Sequence, residues 1–139
     1  MTCADSGPLS KTKAVRSSRE GAPDIRNRSY KYALRAITLY QFLQKQRDGT
    51  GWIIGKQYLE AATSIGANIE EAQGSESRAD FIHKIGIAQK EARESLFWLR
   101  LLADSRIVPP SRLTPLIREN HELVAVITAI IVNTKRKQS

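Results

Sequence analysis

Between Ala61 and His83 the sequence prescribes a helix, a tight turn and a second helix. Ala61-Ala62-Thr63-Ser64-Ile65-Gly66-Ala67-Asn68-Ile69-Glu70-Glu71-Ala72 places small and apolar residues at helical spacing. Ala61, Ala62, Gly66 and Ala67 keep part of that surface thin, so a neighbouring backbone can approach. Gly66 costs about 1 kcal/mol of helix propensity against alanine, which close packing would offset. Gln73-Gly74-Ser75-Glu76 interrupts the period, and Ser77-Arg78-Ala79-Asp80 has the Ser/Thr-x-x-acid spacing of a capping box ahead of Phe81 and Ile82. This stretch supplies two of the helices of the chain.

The rest of the chain supplies two. Ala33, Ile37 and Tyr40, with Tyr32, Ala36, Leu39 and Leu43, predict a first helix that starts between Ile25 and Tyr30 and runs to Arg47. Asp48-Gly49-Thr50-Gly51 is expected to stop it. The second helix is expected from about Ile53 to Ala72, with Ile54, Tyr58, Ala61, Ala62, Ile65 and Ile69 inward. The third runs from Ser77 to Asp104 or Ser105 along Phe81, Ile85, Ala88, Ala92, Leu96, Leu99 and Ala103, and Pro109-Pro110 bars its continuation. The fourth starts at Ser111, or at Thr114 with Pro115 in the first helical position, and ends near Thr134. Nine of the ten residues Leu123–Val132 are apolar and many are β-branched, which makes a buried strand the rival reading. The helical period reaching back to Leu113, and the lack of any partner strand, favour helix and an all-α, four-helix architecture. A helix apolar nearly all round must be covered nearly all round. Val126, Ile127, Ala129, Ile130 and Val132 are therefore expected at an interface between copies of the chain.

Charge marks the ends of the chain. Of the net +8, residues 1–31 carry +4, the tail Lys135-Arg136-Lys137 carries +3, and residues 32–134 carry +1. The reading is a disordered basic arm at 1–24, a bundle at 25–134 and a basic tail at 135–139, with ends that attract polyanions at range. The plainer alternative is solubility. Cys3 is the only cysteine, so neither an internal disulfide nor a cysteine-based zinc site is available. Met1–Glu20 has no signal-peptide-like apolar run and no stretch nears the roughly 20 apolar residues of a membrane span. A soluble, cytoplasmic protein without membrane attachment is expected.

Few residues form patterns that carry chemistry. Ser64, Asn68 and Glu71 line one face of the second helix, either as a site or, the favoured reading, as a buried hydrogen-bond network fixing register. Asp80-x-x-His83, and His121 two positions after Glu119, fall short of the paired Glu-x-x-His motifs and extra glutamates of a di-iron bundle. Gly49-Thr50-Gly51 and Gly55 lack phosphate-loop spacing, and no nucleophile stands near a base. No catalytic residue, metal or cofactor is expected. Arg26, Arg28, Lys31 and Arg35, interleaved with Tyr30 and Tyr32, form a basic-aromatic cluster suited to phosphates and unpaired bases, with Lys135, Arg136 and Lys137 as a second patch. The bland alternative is an amphipathic helix start with its tyrosines in the core.

Ser64-Ile65-Gly66-Ala67-Asn68-Ile69-Glu70-Glu71-Ala72, Ser77-Arg78-Ala79-Asp80-Phe81, Ile87-Ala88 and Glu91-Ala92-Arg93-Glu94 resemble bacterial four-helix bundle proteins encoded in intervening sequences of 23S ribosomal RNA genes. The chain is also similar to the accessory protein of diversity-generating retroelements. The resemblance covers roughly Ile25–Thr134. It implies an antiparallel up-down-up-down bundle assembling into a ring, usually a pentamer, without established catalytic residues. It further implies, for retroelement members, binding to a reverse transcriptase and to nucleic acid. The chain departs from the family at Glu60, where a basic residue is usual, and at Glu71-Ala72, where many members have Glu-Gly. The leading expectation is a non-enzymatic scaffold or accessory binder for RNA, DNA or a nucleic-acid-processing protein. The alternatives are a purely structural oligomer and a metal-dependent bundle enzyme.

Overall fold

The computed structural model describes residues 21–138. Cys3 and most of the expected arm lie outside the described residues. Four helices follow in order: α1 (Gly21–Lys45), α2 (Gly49–Ala72), α3 (Arg78–Asp104) and α4 (Pro110–Gln138). No strand occurs among the described residues, so Leu123–Val132 is helical.

The helix ends show the local physics. Asp48 does not stop α1 with the glycines after it; it caps α2. Its carboxylate accepts from the backbone N–H groups of Thr50 at 2.9 Å and Gly51 at 3.2 Å, satisfying two of the orphan donors of a helix start. Gly49-Thr50-Gly51 is thus the first turn of α2, several residues earlier than the sequence indicates. The Trp52 indole N–H donates to the carbonyls of Leu43 (2.8 Å) and Gln46 (3.0 Å), which closes off the end of α1. Ser77 caps α3 as its motif predicts, with the Asp80 N–H 3.1 Å from its hydroxyl.

Beyond α3, Arg106 takes a left-handed conformation, φ 61°. The turn continues to Val108, whose N–H reaches the Leu102 carbonyl at 3.4 Å and whose side chain is buried. α4 begins at Pro110, so Pro115 lies inside the helix rather than at its first position. Two boundaries move outward. α1 starts at Gly21, with Pro23 in the first turn, where no N–H bond is lost. α4 runs to Gln138, so Lys135, Arg136 and Lys137 belong to its last turn and not to a tail.

The helices pack around Tyr32, Tyr58, Ile65, Ile69, Ile85, Leu99, Leu113, Leu123 and Ile127, all essentially inaccessible. Burying one such aliphatic side chain is worth about 1.5–3 kcal/mol. Along the α1–α2 seam Arg26 meets Glu70, Ser29 meets Gly66, and Tyr40 and Leu43 meet Gly55. Between α3 and α4, Gln89 donates to Thr128 at 2.8 Å and Asn120 meets Ala92 and Ser95. Between α1 and α4, Arg28 meets Glu119 and Phe42 meets Arg112. The α2–α3 seam is the most extensive and the α1–α4 seam the slightest.

Gly66 and Gly55 allow close approach to different degrees. A Cβ at Gly66 would lie 3.3 Å from the Ser29 hydroxyl, but at Gly55 it would lie 2.6 Å from a methyl of fully buried Leu43. Gly55→Ala is therefore expected to lower stability by about 1 kcal/mol despite its gain in helix propensity. Arg106→Gly relieves the left-handed backbone and is expected to raise stability by about 1 kcal/mol. Thermal and urea unfolding of both variants against the parent measure the two shifts.

Candidate nucleic-acid interface

A buried polar junction sets the register of three helices. Asn120 of α4 points its amide nitrogen at the Ser95 hydroxyl (2.6 Å), the Ala92 carbonyl (2.9 Å) and the Tyr32 hydroxyl (3.1 Å). The amide has two hydrogens. The Ala92 carbonyl only accepts and takes one, and the two hydroxyls share the other. Ser95 and Tyr32 lie 3.2 Å apart and all three residues are inaccessible. Tyr58 stacks edge-on against Tyr32, centroids 6.4 Å apart at 74°. Its hydroxyl is buried with no well-formed hydrogen bond, as is the Asn120 carbonyl oxygen. Burial, and after it the neighbouring Tyr32 hydroxyl, push the Tyr58 phenol well above its ordinary pKa. Burial also raises Tyr32, although Asn120 and Ser95 pull the other way. Tyr32 is thus a core residue and offers no stacking surface, whereas Tyr30 is 64% exposed.

That register divides the basic cluster at the start of α1. Arg26 makes two bonds to Glu70, at 3.2 and 2.8 Å, on an exposed edge. Arg28 makes two to Glu119, both 3.0 Å, in a half-buried setting, with Glu122 3.9 Å away. Both arginines act as staples between helices, a role hidden in the sequence because the partners lie far along the chain. Lys31 and Arg35 are exposed and have no carboxylate partner among the described residues. Lys135, Arg136 and Lys137 are exposed on the last turn of α4, where positive charge also suits the helix dipole. There Arg78 donates to the Lys137 carbonyl at 2.9 Å, and Arg136 to the Asn133 side chain at 2.6 Å.

Arg35 also borders a cleft of about 260 Å³ between α1 and α4, lined by Arg35, Thr38, Leu39, Phe42, Arg112, Pro115 and Leu116. The Arg112 guanidinium carbon sits 4.3 Å from the Phe42 ring centroid. No acidic residue lines the cleft. Arg112 had no signal in the sequence, because its position opposite Arg35 depends on how α4 docks.

Two expectations are corrected. Ser64, Asn68 and Glu71 do share a face of α2, but they form no buried network. Ser64 donates to Glu60 O at 2.7 Å, Asn68 to Ser64 O at 2.8 Å, and exposed Glu71 lies 3.7 Å from Lys84. Ser64 and Asn68 bond back along their own helix and so fix no register between helices. The proposed α4 interface is largely internal. Ile127 is fully buried, and Val126 and Ile130 pack half-buried against the core, because α4 is covered by both α1 and α3. Of the five only Ala129 and Val132 are exposed, Val132 at 52%. Exposed large apolar residues lie instead on α1 at Tyr30, Leu34 and Ile37, on α2 at Trp52 and Ile53, and on α3 at Phe97 and Leu101.

Among the described residues, no three His, Cys, Asp or Glu side chains gather as a metal site would require. Nor is any helix long and apolar enough to cross a membrane.

The sequence profile of the 23S rRNA-intervening sequence protein family matches residues 23–129. The fold is similar to the crystal structure of a protein of unknown function of the S23 ribosomal protein family from Bacteroides thetaiotaomicron VPI-5482. Identity is 35%, the TM-score is 0.76, and the match covers 80% of this chain and 97% of that one. No curated protein matches at a significant level.

Asn120→Ala strips the buried hydroxyls of their donor and is expected to cost about 2 kcal/mol, whereas Asn68→Ala changes stability by less than about 0.5 kcal/mol. Urea titrations of the two variants make the comparison. Tyr58→Phe removes a buried hydroxyl that makes no well-formed hydrogen bond and is expected to add up to about 1 kcal/mol at neutral pH. Because the folded-state phenol pKa values are raised, the folded form keeps protons that the unfolded chain loses. Stability is then fully present below pH about 10 and falls as pH rises past it. Tyr58→Phe shrinks that alkaline loss, which unfolding curves between pH about 7 and about 11 would register.

Proposed function

The chain belongs to the 23S rRNA-intervening sequence protein family, and from that premise we propose a non-enzymatic, ring-forming four-helix bundle that acts as a scaffold or accessory binder. Its partner is RNA, or a nucleic-acid-processing protein such as a reverse transcriptase. The topology in this reading is antiparallel, up-down-up-down. It is supported by pairings whose numbers fall in one helix as they rise in the next, as in Arg26–Glu70 and Ser29–Gly66 followed by Leu43–Gly55.

The observation that carries the reading is a set of exposed cations without carboxylate partners, at the last turn of α4 and along the α1–α4 seam. In an antiparallel bundle α1 begins at the end where α4 finishes. Among the described residues, exposed Lys31 near the start of α1 then shares that end with Lys135, Arg136 and Lys137, and Arg35 and Arg112 line a cleft farther along the α1–α4 seam. A nearly neutral body with its open cations gathered in this way attracts a polyanion. Assembly is supported by the Tyr30–Leu34–Ile37 stripe, an exposed apolar row of a kind that marks protein contacts. The same stripe favours a second reading, a protein-interaction oligomer without a nucleic-acid role. A cytoplasmic location agrees with either.

Light scattering with absorbance, on protein purified from cells, tests the proposal. The expected result is a ring-sized oligomer carrying RNA that high salt removes. With about four phosphate contacts, affinity for a single strand is expected to fall about 50-fold between about 50 and about 200 mM salt. Alanine at Lys135, Arg136 and Lys137 together is expected to weaken binding and flatten that slope while the oligomer mass stays unchanged. A clean oligomer without nucleic acid would favour the protein-interaction reading, and a monomer would end the ring.

A further inference from the structure

We propose that the cleft between α1 and α4 is a nucleotide site, with a phosphate held between Arg35 and Arg112 and a flat base resting against Leu39, Phe42 and Leu116. This deepens the nucleic-acid reading and rests on it for the source of the nucleotide within a strand.

The charge balance of the seam argues for an anion. Two guanidiniums line one cavity, both exposed, and neither has a carboxylate partner among the described residues. The nearest acids on that seam, Glu119 and Glu122, face Arg28, and Glu119 is fully engaged in a two-bond pair. They leave the field at Arg35 and Arg112 uncompensated. Two forks of planar donors suit a phosphate, whose oxygens accept from several directions at once.

The walls argue for what the anion is attached to. Leu39 and Leu116 are almost wholly buried and present an apolar floor, and Phe42 forms one side. The Arg112 guanidinium carbon lies 4.3 Å from the Phe42 ring centroid, and arginine and aromatic side chains are both groups on which bases stack. An acidic peptide would satisfy the guanidiniums, but an Asp or Glu side chain has no flat apolar body to cover this floor. The volume, about 260 Å³, sits below the range usual for drug-sized ligands and fits a single unit rather than a folded element. Thr38 is the one neutral polar side chain in the wall, and its hydroxyl donates to the Leu34 carbonyl at 3.3 Å, leaving only acceptor capacity toward a ligand. A base held mainly by stacking is read with little sequence preference.

The test uses the full chain with two probes, a fluorescein-labelled ten-residue oligouridylate and free uridine monophosphate, followed by anisotropy and by competition. Arg35→Ala and Arg112→Ala are each expected to weaken binding about tenfold. Thr38→Trp fills the cleft from an exposed position without changing the charge of the protein, and is expected to weaken binding as much. Lys56→Ala, exposed on α2, is the control and is expected to bind as the parent does. Circular dichroism melts check that each variant folds. Binding of the oligonucleotide that survives all three cleft variants would overturn this site and leave the nucleic-acid reading standing. Binding of the mononucleotide alone, lost in the cleft variants, would support the site and make free nucleotide its source, against the RNA reading. Binding of neither probe by the parent would overturn both.

Discussion

One amide at the centre of the bundle decides how the rest fits. Asn120 is buried among aliphatic side chains, where an unpaired polar group is costly. The cost is avoided only when α4 is turned and slid so that the amide meets Ser95 and Ala92 on one neighbour and Tyr32 on the other. Hydrophobic contacts alone tolerate several registers of similar energy, whereas a hydrogen-bonded junction accepts few. Once α1 and α4 are set by it, Arg28 falls opposite Glu119 and Phe42 opposite Arg112. The surface chemistry of the α1–α4 seam is therefore a consequence of a contact in the interior.

The same register separates cations with structural roles from cations left open. Arg26 and Arg28 look equivalent to Lys31 and Arg35 in the sequence, four basic residues within a few helical turns. In the fold the first two bridge helices and the second two face solvent. The half-buried Arg28 pair carries more weight than the exposed Arg26 pair, because exposed ion pairs are screened and contribute little. Positive potential on this protein thus depends on which acids the fold has brought to which bases, and counting charges along the chain overstates it at α1's start.

What was legible in the sequence was local. Helix periodicity, the Ser77 cap, the stop at Pro109-Pro110 and the inward faces of α2 and α3 follow from neighbours three and four residues apart, and they hold in the structure. The Asp48 segment misled because a glycine-rich stretch after a helix reads equally as an end and as a beginning. The deciding detail was an aspartate one residue ahead of it. What depended on docking was hidden. Asn120 gave no signal, since a polar residue on an apolar helix is as often at a surface as in a junction. Ile127 and its neighbours looked like surplus because α4's coverage by two helices is not written in α4 itself. Arg112 entered the candidate site only when the seam was assembled.

The helical state of the C-terminal cations changes what they can touch. Lys135, Arg136 and Lys137 are consecutive, and on an α-helix consecutive residues point about 100° apart. They radiate around a post and do not form a strip. A flexible tail would fold all of its charges onto one strand of phosphates after losing its freedom; a helix anchored by Arg78 loses little, but offers a straight strand only part of its charge. Full use of all three requires a ligand that curves around the post, or strands approaching it from more than one side.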